Sequence, residues 1–158
     1  MRYEVLNVLV EYLKALLLAP LLCMVLKAAY PPEAVSFAFK ATSGLFFAHF
    51  ILASCQRPDL IRDITHRKQA CTWVDAERNR QVSRYVGVTL VFLLTILTAE
   101  LSPGAKAISF PSVIVAGGVL AIFSEVLNVI RALWEMTEKA RFISSLPKRV
   151  PVAEDEAK

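Results

Sequence analysis

The residues able to do acid–base, nucleophilic or metal chemistry are few in this chain, and their spacing argues against most of it. The three cysteines, Cys23, Cys55 and Cys71, form no C-x-x-C pair. With only His49 and His66 beside them, no four-ligand metal set has a familiar spacing. A haem held by two histidines needs both at membrane depth, and His66 sits in a polar stretch, which leaves His49 alone. There is no Ser/His/Asp order, no glycine-rich phosphate loop and no paired acidic motif. The expectation is a protein without catalytic residues, cofactor or metal. Cys55 and Cys71 are expected to be free thiols facing a reducing compartment.

What remains is a set of polar groups inside apolar runs, where an ionisable side chain is costly and normally faces another helix, water or an opposite charge. Glu125 follows 18 uncharged residues, and with Ser124, Asn128 and Arg131 it makes a polar stripe down the end of the last apolar segment. That stripe is either a solvated helix end or an interhelical or pore-lining contact. Lys40 and His49 lie within a second apolar run. Lys40 is close enough to the run's end for its side chain to reach headgroups, and His49 suits a hydrogen-bonded histidine facing another helix. Glu11 and Lys14, three apart, can pair on one helix face. Gly117 and Gly118 permit close helix approach, as Gly44 with Ser43 and Ala48 does more weakly. The candidate pore or helix-contact residues are therefore Glu125, Asn128, Ser124, Lys40, His49, Gly117 and Gly118.

The elements that must position these groups follow from composition. Of the 158 residues 56% are hydrophobic and 20% charged, with a mean hydropathy of +0.50. A soluble domain is nearer 45–50% apolar and about 25% charged, so the surplus must face lipid. Continuous apolar stretches, rather than alternating ten-residue segments, predict helices and not an outer-membrane barrel. The expected fold is an all-α integral membrane protein with three to four transmembrane helices as two hairpins. The spans are placed at about 5–29, 34–55, 82–101 and 107–130 within a membrane domain of residues 1–133. The first segment, interrupted by Glu11, Lys14 and a kinking Pro20, either spans the bilayer or lies in its interface. Glu4 and Glu11 also argue against a cleaved signal peptide, and Pro20-Leu21-Leu22 against a lipid anchor on Cys23. Pro31-Pro32 and Ser102-Pro103-Gly104 provide the turns within the hairpins.

Orientation follows from the basic residues. With both termini on one side, that side carries Arg2; Arg57, Arg62, Arg67, Lys68, Arg78, Arg80 and Arg84; and Arg131, Lys139, Arg141, Lys148, Arg149 and Lys158, which is 14 of the 18 Lys and Arg. Lys14, Lys27, Lys40 and Lys106 lie within spans or beside the short turns. The N-terminus, a loop over 56–83 and a tail over 134–158 are thus expected to be cytoplasmic. The loop suits either a short amphipathic helix on anionic headgroups or a plain solvated segment, and it offers a docking site for a membrane-protein partner. The tail is expected to be disordered after about residue 147, where prolines and an acidic run follow. Nucleic-acid binding is not expected, because the basic residues already sit where membrane orientation requires them.

Over roughly residues 78–150 the order of features resembles the holin family shared with clostridial toxin-secretion proteins: a basic loop, an apolar span, a short S-P-G turn, an apolar span ending in SEVLNVI, then a tail closing in SLPKR. Members of that family run their last span into a motif like N-E-G-L-S-I-L-E-N, followed by a P-x-P-K segment. Glu125 matches the motif's first acid, Leu127 its leucine, Asn128 its serine, and Val129 and Ile130 the next aliphatics; Leu146, Pro147 and Lys148 match the closing segment. Val126 replaces the glycine, Arg131 and Ala132 stand where Glu and Asn are usual, and the distance from Glu125 to Pro147 is longer than in the family. The resemblance implies a homo-oligomer that permeabilises the bacterial inner membrane during phage-type host cell lysis. Two other expectations compete with it: a non-catalytic membrane subunit of a secretion, conjugation or respiratory assembly, and a small oligomeric transporter.

Overall fold

The computed structural model describes residues 2–26, 32–102 and 109–149, and nearly all of them are helical. The elements are α1 (Arg2–Leu26), α2 (Pro32–Ser54), a single 3-10 turn at Pro58–Leu60, α3 (Ile64–Leu101) and α4 (Phe110–Ser145). The segment Val35–Leu60, α3 and α4 each hold an 18-residue stretch long and apolar enough to cross a membrane, with mean hydropathies of 1.4, 1.8 and 2.2. Leu13, Leu17, Leu90, Leu97, Phe37 and Phe123 are all exposed on the outside of the bundle. Such an outward apolar surface suits a lipid-facing belt and would be anomalous in water. The chain is thus an all-helical protein with the character of a membrane protein.

The helix directions follow from the side chains that meet. Arg84 of α3 lies against Glu125 of α4, and Trp73 against Lys139, so these two helices are antiparallel. Val8 of α1 packs where a Cβ on Gly87 would fall, and Leu16 where one on Gly117 would fall, which sets α1 parallel to α3. Ser43 of α2 meets Tyr85 while His49 approaches Glu77, which sets α2 antiparallel to α3. The start of α1, the end of α2 and the end of α4 therefore share one end of the bundle. The expected turns fall within 27–31 and 103–108, outside the described residues, except that Pro32 opens α2 and Ser102 follows α3.

Two expectations are corrected. The α3–α4 pair is a packed hairpin, but among the described residues α1 and α2 share no comparable interface; each packs against both α3 and α4. Missing side chains make this possible. Gly87 and Gly117 open the surface of the central pair to Val8 and Leu16, and Gly118 admits Thr95 within the pair itself. Pro20 lies inside α1 without ending it. The core joins Val8, Tyr12, Phe46, Val88, Val91, Ile122 and Val129, with Phe39 and Phe92 stacked at 4.0 Å.

The second correction concerns the expected loop over 56–83. The connection is only 55–63, and α3 begins at Ile64 and runs 38 residues without interruption. Asp63 caps it, accepting from the backbone N–H of Thr65 at 2.6 Å and of His66 at 3.1 Å. Those donors hold its carboxyl below the usual carboxylate range. The polar half of α3 is supported by α4, which continues to Ser145 and buries Ile143 against Ile61 and Val74. Trp73 carries Lys139 Nζ 4.2 Å above its ring. At the start of the tail Arg62 N donates to Pro147 O and Arg149 N to Leu60 O, both at 2.9 Å, which ties Lys148 and Arg149 to the segment around the 3-10 turn. The acidic run expected to be disordered lies within 150–158, outside the described residues.

Candidate functional site: a buried charge cluster and two flanking cavities

Arg84 organises the polar interior. Its Nη2 and Nε donate to the two carboxylate oxygens of Glu125 at 2.7 and 3.1 Å, a bidentate fork, and Nη1 donates to Glu4 Oε2 at 3.2 Å. The Glu125 side chain is 1% exposed and that of Arg84 11%. Asn128 Nδ2 donates to Glu125 Oε1 at 3.1 Å, one turn further along α4. Arg80 extends the cluster outward, 3.5 Å from Glu4 and 3.7 Å from Glu77. Three helices are therefore joined by one guanidinium, about 25 Å along α3 from its Leu101 end and about 22 Å along α4 from Phe110, by helical rise. A buried ion of either sign is tolerable only with such partners. Glu125 is neither a solvated end nor a pore-lining group within one chain; it is an interhelical contact, the first part of the second alternative posed for it.

The other candidates are placed as follows. Gly117 and Gly118 lie buried, closing α4 on Leu16 of α1 and Thr95 of α3. Gly44 has open space around it, so with the exposed Ala48 and Lys40 it belongs to the outer face of α2 rather than to a close contact. Ser124 and Asn128 line a groove between α1 and α4 that also contains Asn7, Glu11 and Lys14, with Arg84 at its base and a volume of about 440 Å³. Within it Lys14 Nζ donates to Glu11 Oε1 at 2.7 Å, and the two side chains are 63% and 39% exposed. This polar groove lies on the outside of the bundle, beside the exposed Leu13, Leu17 and Leu6.

His49 corrects a further expectation. It is fully buried, but neither ring nitrogen has a hydrogen-bond partner in the protein; Nε2 stands 3.8 Å from Glu77 Oε1. It lines a cavity of about 200 Å³ between α2 and α3. Gln81, one turn after Glu77, donates from Nε2 to Glu77 Oε1 at 2.8 Å, and its buried Oε1 has no partner. Tyr85 completes this side, its hydroxyl donating to Ser43 Oγ at 3.2 Å.

Arg84, Glu4, Glu77, Gln81 and Tyr85 belong to this candidate site, and the sequence pattern did not single them out for it. The usable signal was that no Lys or Arg stands within four residues of Glu125, where a pair along the same helix would form; a partner from another helix was then called for, and Arg84 opens the apolar part of α3. Among the described residues no group of three or more His, Cys, Asp or Glu is arranged to hold a metal ion. No protein-family model, curated protein or solved structure matches the chain.

Proposed function

We propose that this chain is a self-assembling membrane protein of the holin type, oligomerising in the bacterial inner membrane until the bilayer is permeabilised. The observation that carries this reading is the polar groove between α1 and α4. Glu11 and Lys14 lie about 10 and 15 Å along α1 from Glu4, among exposed leucines, by helical rise. Hydrocarbon is a poor neighbour for that groove, whereas a second copy or a water-filled path satisfies it. Lys40, exposed on α2, is a second polar group on the outer surface that assembly would cover or direct to water. The placement of 14 of 18 basic residues supports a cytoplasmic position for both chain ends and for the α3–α4 extension. The Arg84–Glu125 cluster then serves to hold each protomer together before assembly.

The test is controlled expression in a bacterial host, following culture density and a membrane-potential dye, with and without an endolysin that lacks its own export signal. Abrupt depolarisation after a reproducible delay, with lysis only when the endolysin is present, supports the reading. Steady growth and an intact potential despite verified insertion would sink it. A second reading, a non-catalytic subunit of a membrane assembly, draws support from the α3–α4 extension, whose Trp134 and Phe142 are 69% and 59% exposed. A crosslinked pull-down that recovers a single stoichiometric membrane partner would favour that subunit role.

A further inference from the structure

The cavity between α2 and α3 offers carbon along most of its length and charge at one end. It runs from Phe50 and Arg78 to Ser43 and Tyr85, about 10 Å along two antiparallel helices by helical rise. Phe47 and Val82 lie on its walls between those ends and are 65% and 38% exposed, so it opens sideways onto the outer surface of the bundle. The other polar groups along the walls are sealed or paired. The His49 ring nitrogens and Gln81 Oε1 are fully buried, Gln81 Nε2 donates to Glu77, and the Tyr85 hydroxyl donates to Ser43 Oγ at 3.2 Å. Arg78 is the exception. Its side chain is 42% exposed, and of the five N–H donors of a guanidinium one is given to Asp75 Oδ1 at 3.1 Å.

The gradient along this cavity has the direction of a lipid. Its Arg78 end lies toward the charged half of α3, and its Tyr85 end is where the uncharged run Tyr85 to Ala99 begins. Phe50 and Ile51 of α2 are exposed at the height of Asp75 and Arg78, as the approach of His49 to Glu77 requires, so apolar and charged surfaces stand side by side there. That is the arrangement of a boundary between headgroups and hydrocarbon. An apolar cavity of about 150 Å³ holds a benzene, so about 200 Å³ takes an acyl-chain segment of about six carbons or more. The rim carries both signs: Arg78 faces the cavity, and Asp75 stands one turn further toward the charged end. A headgroup with a phosphate followed by an ammonium meets that pair in order, whereas a headgroup with only negative charge sets its surplus against the Asp75 carboxylate. We propose that this cavity binds an acyl chain of a zwitterionic phospholipid, with the phosphate on Arg78 and the ammonium on Asp75. The proposal rests on the membrane character of the bundle and not on self-assembly.

The experiment uses the full chain in dodecyl maltoside micelles, titrated separately with dioleoyl phosphatidylethanolamine, dioleoyl phosphatidylglycerol and dioleoylglycerol, with bound lipid counted by native mass spectrometry. Phosphatidylethanolamine is expected to bind saturably at one site per chain, phosphatidylglycerol more weakly, and dioleoylglycerol, which lacks the phosphate, about tenfold more weakly or worse. Arg78→Gln is expected to weaken phosphatidylethanolamine about tenfold and to leave dioleoylglycerol within about twofold. Val82→Trp, which fills the mouth from an exposed position, is expected to abolish saturable binding of all three and remains informative should Arg78→Gln fail to fold. Phosphatidylglycerol or dioleoylglycerol binding as tightly as phosphatidylethanolamine overturns the proposal. So does binding that never saturates, or that is unchanged in both variants. Displacement of phosphatidylethanolamine by excess inorganic phosphate would assign Arg78 to a free anion, and a lipid-free dimer broken by Val82→Trp would assign the cavity to a second copy; either result overturns it as well.

Discussion

Removing one partner of the Arg84–Glu125 pair should be among the most destabilising single changes in the protein, while removing both should not. Breaking a buried pair costs about 3–5 kcal/mol because a charge is left without a partner. The geometry places each variant within that range. Glu125→Gln leaves Arg84 with Glu4 at 3.2 Å, a carboxylate 24% exposed and able to follow it, so the loss should be near the lower end, about 3 kcal/mol. Arg84→Met leaves the carboxylate of Glu125, 1% exposed, with the Asn128 amide alone, and should cost nearer about 5 kcal/mol. The double variant Arg84→Met with Glu125→Met replaces the pair by apolar side chains of similar length and should lie within about 1 kcal/mol of the parent. Glu4→Gln, at the half-exposed edge, should cost about 1 kcal/mol or less. The assay is equilibrium unfolding in mixed micelles, read as a double-mutant cycle in which those losses correspond to a coupling of about 7 kcal/mol. Single variants that each cost under about 1 kcal/mol, or a double variant as unstable as the two losses together, would refute the view that a desolvated charge pair joins these helices.

The other expectations are more local. Gly118→Ala should lower stability by about 1–3 kcal/mol, because the added methyl falls on Thr95, a fully buried side chain, whereas Gly44→Ala should be neutral or slightly stabilising; thermal unfolding in detergent separates the two. Asp63→Ala should loosen the start of α3, seen as faster amide exchange at Thr65 and His66. The Asp63 carboxyl is held low by those two N–H groups, so its capping contribution is present above the usual carboxylate range and is lost as pH falls below it; slower exchange on acidification, after correction for intrinsic rates, would contradict this. Replacing Lys14 and Glu11 together by leucine removes the polar face of the α1–α4 groove and should delay or abolish depolarisation in the expression test while leaving membrane insertion intact. An impermeant maleimide applied to inverted vesicles should label the exposed Cys55 and spare the buried Cys23, and labelling of Cys55 only from the opposite face would reverse the proposed orientation.

Much of the architecture was legible as hydropathy. The apolar cores of α2, α3 and α4 are announced by long uncharged runs, since a helix in lipid must satisfy its own backbone and needs apolar side chains all round. The extent of α3 was not legible in the same way. From Ile64 to Ser83 its residues are polar enough to pass for a solvated loop, and what makes them helical is the Asp63 cap together with the antiparallel support of α4, through Trp73 on Lys139 and Ile143 on Ile61 and Val74. The order of Lys148 and Arg149 likewise depends on backbone groups of Leu60 and Arg62, far away in the chain.

The sequence by itself determined that the chain is helical and rich in lipid-compatible surface, and that Glu125, His49, Gly117 and Gly118 stand where a polar or a missing side chain requires a reason. Period and composition carry that information because each is a property of neighbouring residues. The tertiary structure alone decided which reason applies. It chose Arg84, 41 residues from Glu125, as the counter-ion, set the described parts of α1 and α2 separately against a central pair instead of against each other, and buried the His49 ring nitrogens and the Gln81 side-chain oxygen without a hydrogen-bond partner. Those outcomes depend on which helix faces meet and at what height, and a charge or a hydrogen-bonding group reveals its partner only when the two are brought within about 3 Å of each other.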